Sequence, residues 1–222
     1  MMTGFGGDAA LWQCAELYQT PASEQIMSMP ALSRRWTAAD VRELIQEDRP
    51  WPRYELLDGE LLVTPAPIKH HQFAVGRLHL LIGNYCEQHG IGVALMSPSD
   101  IELVTETIMQ PDVFVVAEEL LAEPVSKEWS DITWLMLAVE VLSPSTQRMD
   151  RVHKRDFYLA NGVREYWIVD LDGRVFERWT PDAARPTLHR EWIEWHPAGA
   201  SGPLRIDVAD FFLRGARLPR IV

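Results

Sequence analysis

Apolar and polar positions along this chain follow two periods, and the switches between them lay out the elements. After Thr37, a residue suited to cap a helix, Ala38 to Gln46 brings Val41, Leu44 and Ile45 to one side and predicts a short amphipathic helix. Pro50 and Pro52 end it. Tyr54 to Val63 then reads as two apolar strands around Asp58-Gly59, a dipeptide that readily takes the left-handed conformations of a tight hairpin turn. Pro65 and Pro67 close the hairpin. Ile68 to His89 carries Phe73, Val75, Leu78, Leu81, Ile82 and Tyr85 at three- and four-residue spacing, which predicts a long helix stopped by Gly90. Strand-like runs follow at Val93 to Met96, Asp100 to Val104 and Pro111 to Val116.

The rest of the chain is organised around Leu135 to Asp170, which has the order strand, turn, helix, strand. Leu135 to Leu142 is apolar apart from Glu140, the pattern of a strand buried on both faces. An ionised carboxylate buried without a partner costs several kcal/mol or more, so Glu140 must be paired, protonated or bound to a metal. Ser143-Pro144-Ser145-Thr146 ends the strand and offers helix caps, after which Asp150, Lys154 and Tyr158 recur every four residues on one helical face. Asn161-Gly162 stops the helix, and Glu165 to Val169 begins the next strand. Val175 to Trp179 and the segment around Trp192 and Trp195 predict further strands. Val208 to Leu213 is expected to dock as a short helix capped by Asp207 or Asp210. Residues 1–33 show no sustained period and are expected to form an extension that is loosely attached or partly ordered.

At 222 residues and 47% hydrophobic, the chain can bury one substantial core and is short for two. Its formal charge of −11 opposes a broad electrostatic grip on a phosphate backbone, so a nucleic-acid role has to rest on a local patch or a metal. Cys14 and Cys86 lie far apart with no metal-type spacing, and a reducing cytoplasm is the expected location. No apolar run approaches the roughly 20 residues needed to span a bilayer, and the first residues lack the pattern of a signal peptide, so no membrane partner is expected.

The candidate acids are Glu60, Asp112 and Glu140, and the candidate cation is Lys154. Asp112 opens one nearly all-apolar strand and Glu140 sits inside another, so if those strands are neighbours the carboxylates converge. Two carboxylates with a main-chain carbonyl and waters make a hard, oxygen-rich set that suits Mg²⁺ or Mn²⁺ and not zinc. A nearby lysine is able to orient or deprotonate a water and to steady charge on a phosphate. Each residue also has a plainer reading: Asp112 as a turn residue after Pro111, Glu140 as the ion-pair partner of Lys154 or Arg151, and Lys154 as an exposed lysine beside Asp150. Glu60 equally suits a hairpin position, His70-His71 a cap or solvated pair, and Tyr158 the core. The combination points to a site more than any member does.

These residues also carry a resemblance. Tyr54-Glu55-Leu56-Leu57-Asp58-Gly59-Glu60, Pro65-Ala66-Pro67 followed by His71, Gln110-Pro111-Asp112, Val139 to Thr146, Lys154 with Tyr158, and Gly162 to Trp167 resemble the Uma-type restriction-endonuclease-like proteins of the PD-(D/E)XK nuclease superfamily, over about residues 37–180. The resemblance implies an α/β, restriction-endonuclease-like core with a central mixed sheet flanked by helices, preceded by an N-terminal helix and hairpin, in a single domain over residues 34–222. It further implies a Mg²⁺- or Mn²⁺-dependent endonuclease acting on nucleic acid, with DNA the expected substrate. Asp112 and Glu140 would be the metal-binding acids together with the carbonyl of Val141, Glu60 a further acid and Lys154 the catalytic lysine, with His71 and Tyr158 as accessory residues. One departure matters: the superfamily lysine stands two residues after the acid, where this chain has Leu142, so the resemblance moves it to Lys154. A non-catalytic binding protein on the same fold and a small-molecule phosphoesterase with a closed pocket stay open as alternatives. A homodimer is expected by analogy alone.

Overall fold

In the computed structural model, residues 34–45, 51–121, 129–143 and 146–214 are described, and Arg35–Val222 cluster as one unit. The extension expected over residues 1–33 lies outside the described residues, as do Cys14 and the Pro144-Ser145 pair of the expected cap.

The first helix, α1 (Ala38–Leu44), starts with a reciprocal cap. Thr37 Oγ1 accepts from the Asp40 N–H at 3.2 Å while Asp40 Oδ2 accepts from the Thr37 N–H at 3.0 Å. Its apolar face, Ala38 and Val41, packs with Leu56 and Ile108. Strands β1 (Arg53–Leu57) and β2 (Glu60–Thr64) form the expected hairpin, and Asp58 (φ 52°) and Gly59 (φ 76°) both take the left-handed conformation that the tight turn demands. Helix α2 (Lys69–His89) buries Ala74, Val75, Leu78, Ile82 and Tyr85, and ends at Gly90 (φ 61°), whose N–H reaches back to the carbonyls of Cys86 and Glu87.

Six strands make the central sheet: β3 (Gly92–Met96), β4 (Val113–Ala117), β5 (Leu137–Val141), β6 (Tyr166–Asp170), β7 (Val175–Trp179) and β8 (Thr187–His189), adjacent in that order. All neighbours are antiparallel except β5 and β6, which run parallel. A parallel pair needs a crossover connection. Here it is a π-helical turn (Met149–Lys154) that runs straight into α3 (Arg155–Ala160). Strand alternation sends Val113, Val115, Leu137, Val139, Trp167 and Val169 to one face, where they meet α2, β9 (Trp192–Trp195), β10 (Leu204–Asp207) and α4 (Val208–Arg214). Phe114, Val116, Ala138, Leu142, Tyr166 and Ile168 take the other face, against Leu57 of the hairpin and Tyr158 of α3. Glu140 is in phase with Ala138 and Leu142 and so belongs to this second face.

One expected strand does not form. In the stretch Asp100 to Val104 only Ile101 pairs, as an isolated bridge to Met109, because the chain turns back at once: the Thr107 hydroxyl and N–H both donate to the Val104 carbonyl and Glu106 takes φ 62°. That turn has its own use, since Glu106 Oε2 accepts from the Ala38 N–H at 2.8 Å and helps close the start of α1. For α4 the cap is Asp207, whose Oδ1 accepts from the Asp210 N–H at 2.8 Å. No helix among the described residues is long and apolar enough to cross a membrane.

Candidate functional site

Asp112 and Glu140 meet because β4 and β5 are antiparallel neighbours. Val113 pairs with Val139, so the next step of the ladder sets Asp112 opposite Glu140. The Val141 N–H donates to Asp112 Oδ2 at 2.9 Å, which ties the strand ends together. Both acids are buried, at 4% and 2% exposure.

Lys154 joins them from the π-helical turn. Its Nζ lies 3.0 Å from Glu140 Oε1, 2.8 Å from Glu55 Oε2 and 3.7 Å from Asp150 Oδ1, and the side chain is buried. The plainer reading of an exposed lysine is thus overturned, while the pairing with Asp150 that it included and the pairing with Glu140 both form. Arg151, the other partner considered for Glu140, turns away to Glu177 and Asp170. Tyr158, one α-turn beyond Lys154, packs in the core, as its plainer reading expects, and donates to Glu140 Oε1 at 3.3 Å. His70 and His71 face different ways, as neighbours on a helix do: His70 is exposed, and buried His71 sets Nε2 3.1 Å from Asp112 Oδ2.

Two residues of the site come from the hairpin and were not singled out in the sequence. On β1, Arg53, Glu55 and Leu57 share the face turned to the sheet. Arg53 donates from Nη2 to Asp112 Oδ1 at 3.0 Å and from Nη1 to the Gln110 carbonyl at 3.3 Å. Glu55, at 1% exposure, receives the Gln110 N–H on Oε1 at 2.8 Å and offers Oε2 to Lys154. Glu60, the hairpin acid expected at the site, is not brought to it. It pairs with Leu57 beside the turn, two positions past Glu55 along the hairpin, and is exposed. The available signal was phase: with the turn at Asp58-Gly59, the inward acid is the one two residues before inward Leu57.

The electrostatics are uneven. Burial alone would raise Asp112, yet the hydrogen bond to His71, the Arg53 guanidinium and the Val141 N–H hold it well below the ordinary carboxylate range. Burial pushes Glu140 well above its usual value, Lys154 offsetting only part of the rise, and burial likewise lifts Asp150 to about 6. Burial pulls Lys154 down, but Glu140, Glu55 and Asp150 more than compensate and hold it protonated far above neutrality. A lysine so held is placed to stabilise charge and to orient.

Arg53, His71, Asp112, Glu140, Asp150 and Lys154 line a cavity of about 210 Å³ that reaches the surface at Ile68, which is 66% exposed. Four buried acids, Glu55, Asp112, Glu140 and Asp150, here face two fixed cations, Arg53 and Lys154. The divalent cation implied by the resemblance fits such a set: the donors are hard oxygens, and the buried acids outnumber the fixed cations. Among the described residues no three His, Cys, Asp or Glu side chains group to hold a metal by themselves. Asp112 and Glu140 would therefore need a backbone carbonyl, such as that of Val141, and water to complete a shell.

Known proteins agree with this architecture. A crystal structure described as that of a "putative nuclease" from Anabaena variabilis superposes with a TM-score of 0.68 at 17% identity, covering 81% of this chain and 98% of its own, a likeness that establishes the fold. No curated protein matches the chain. The profile of the Uma2 family, described as "Putative restriction endonuclease", matches residues 38–201, a span that contains the hairpin, both acids and Lys154, and the chain belongs to that family.

Proposed function

We propose that this chain is a metal-dependent endonuclease that hydrolyses phosphodiester bonds, with DNA as its substrate. The observation that carries the proposal is the buried meeting of Asp112, Glu140 and Lys154 at a surface-reaching cavity, in a chain of the Uma2 family. Asp112, Glu140 and the Val141 carbonyl would hold a divalent cation, which would lower the pKa of a water and polarise a phosphoryl oxygen. The chain's own groups do the rest. Lys154 remains protonated and sits where it can steady negative charge developing on the phosphate. Glu55 and Asp150 hold its ammonium in place, Tyr158 orients Glu140, and Arg53, His71 and the Val141 N–H keep Asp112 ionised.

The cavity volume speaks against the small-molecule phosphoesterase. At about 210 Å³ it is below the roughly 300–1,000 Å³ of pockets that enclose a small substrate. A strand of nucleic acid needs only to lay one phosphate against it. A non-catalytic binding role is favoured by one observation, that both oxygens of Asp112 already take protein donors.

The deciding experiment is cleavage of single- and double-stranded DNA and RNA with Mg²⁺, Mn²⁺ or EDTA, for the wild type and Glu140→Gln. The expected result is DNA cleavage that needs metal and is lost in the variant. Binding without cleavage under every condition would establish the non-catalytic role instead, and RNA cleavage alone would replace the substrate.

A further inference from the structure

In a chain with a formal charge of −11, a surface cation readily finds an acid, and many here do. Arg42 meets Glu102, Arg77 meets Asp210, Arg155 meets Asp156 and Arg205 meets Glu194. Lys69, Arg148 and Arg174 do not: all three are exposed and have no acid partner among the described residues. Lys69 has only the face of Phe73, with Nζ 5.5 Å from the ring centroid.

These cations come from three elements that each wall the cavity. Lys69 opens α2 next to Ile68, Arg148 stands between Thr146 and Asp150 at the start of the π-helical turn, and Arg174 closes the turn that Leu171 begins after β6. Ile68, Thr146, Asp150 and Leu171 all line the cavity. Arg190, also exposed, joins the last of these turns by donating from Nη1 to the Gly173 carbonyl at 3.0 Å. Against these cations the three segments set one exposed acid, Asp172, since Asp150 is buried. The far end of the sheet, by contrast, shows exposed Glu118 and Glu119 after β4 and exposed Asp131 before β5.

A cationic rim around an acidic well selects among anions. A lone phosphate in the well meets Asp112 and Glu140, and at the rim it gains one exposed contact, which is worth little. A chain of phosphates gains several such contacts together and releases a counterion at each. We propose that Lys69, Arg148, Arg174 and Arg190 form a track for a nucleic-acid backbone, seating the phosphates on either side of the one that lies over the cavity. Such contacts position a strand and read no base. That the middle phosphate is the one cleaved rests on the nuclease reading; the track rests on charge and position alone.

The test is fluorescence anisotropy of a labelled single-stranded DNA oligonucleotide in EDTA, titrated at several salt concentrations. Two double variants remove the same charge from exposed cations without acid partners: Arg148→Gln with Arg174→Gln at the mouth, and Arg164→Gln with Arg185→Gln at the far end of the sheet. The mouth pair should weaken binding about tenfold and flatten the slope of log affinity against log salt by about 1.4, as expected for two lost single-strand phosphate contacts. The far pair should change neither. No binding by the wild type, equal loss in the two pairs or loss in neither would overturn the track. Polyglutamate bound as tightly as the oligonucleotide would overturn its assignment to nucleic acid. A protein that binds as expected yet cleaves nothing keeps the track and loses the nuclease reading; cleavage with an unchanged KM in the mouth pair does the reverse.

Discussion

Two buried acids sit at opposite ends of the parallel pair β5 and β6, and their surroundings differ. Glu165 is matched one to one: Oε1 takes the Trp167 indole N–H at 2.7 Å and lies 2.7 Å from Arg178 Nε, and Oε2 accepts from Arg178 Nη2 at 2.9 Å. Glu140 instead shares one ammonium with Glu55 and Asp150, and Asp112 stands opposite it across the ladder. At the first end charge cancels and the fold gains a fixed corner. At the second, acids outnumber cations beside a cavity. Burial of a carboxylate therefore does not by itself point to a site; what sets Glu140 apart is burial left electrically unmatched.

The largest effect expected of that contrast is on cleavage. Glu140→Gln should lower metal-dependent cleavage by about 10²–10³-fold or more, while Glu165→Gln leaves it unchanged. Denaturant unfolding should show the reverse order: Glu165→Gln loses about 1–3 kcal/mol by unpairing Arg178, and Glu140→Gln loses less or gains, because a crowded acid is removed. Equal effects of the two variants in both assays would erase the distinction.

Next comes Lys154→Met, which keeps the apolar stem and strands three acids. We expect a loss of about 3–5 kcal/mol together with the loss of cleavage. Adding Glu55→Gln should recover part of the stability and none of the activity. Cleavage restored in the double variant would make Lys154 a purely structural cation.

A smaller signal lies in the pH dependence. Burial raises folded Asp150 to about 6 from an ordinary 3.8, so between those values the folded state binds more protons than the unfolded chain. Stability from this group is present at low pH and falls as pH rises through about 6. Asp112 has the opposite sign: held below the ordinary range, it stabilises above the unfolded value and loses that contribution in stronger acid. Melting curves of Asp150→Asn across this range should show a flatter decline between pH 4 and 6 than the wild type; an unchanged decline would remove Asp150 as its source. The smallest effect is that of Glu60→Gln, exposed beside the hairpin turn. It should change stability by less than about 0.5 kcal/mol and leave cleavage as it is, and a clear loss of activity would return that acid to the site.

What the sequence made legible was whatever breaks a pattern. Glu140 interrupts an apolar run, Asp112 opens another, and the three-and-four spacing of α2 and the Asp58-Gly59 turn each announce one structure. Arg53 and Glu55 broke nothing, because charged residues alternating with apolar ones in a hairpin also describe a strand with one wet face. Only the docking of that face on the sheet, through Leu57, makes them interior. The stretch Asp100 to Val104 erred the other way: its β-compatible residues were overruled by a turn at Glu106 that the α1 cap employs. The strand order, which turns distant Asp112 and Glu140 into ladder neighbours, depends on pairings that no local pattern encodes.

The π-helical turn at Met149–Lys154 has a consequence for how this segment tolerates change. Such a turn closes its hydrogen bonds one residue later than an α-turn, so every side chain after it is rotated by about 100° from where an uninterrupted α-helix would carry it. Lys154 ends the turn and Tyr158 follows it, yet both reach the same oxygen of Glu140, at 3.0 Å and 3.3 Å. Deleting a single residue here would leave the segment's composition almost intact and swing α3 out of phase with the acid it serves. Exposed Val152 and His153 should tolerate substitution, whereas the number of residues between Met149 and Tyr158 should not tolerate change.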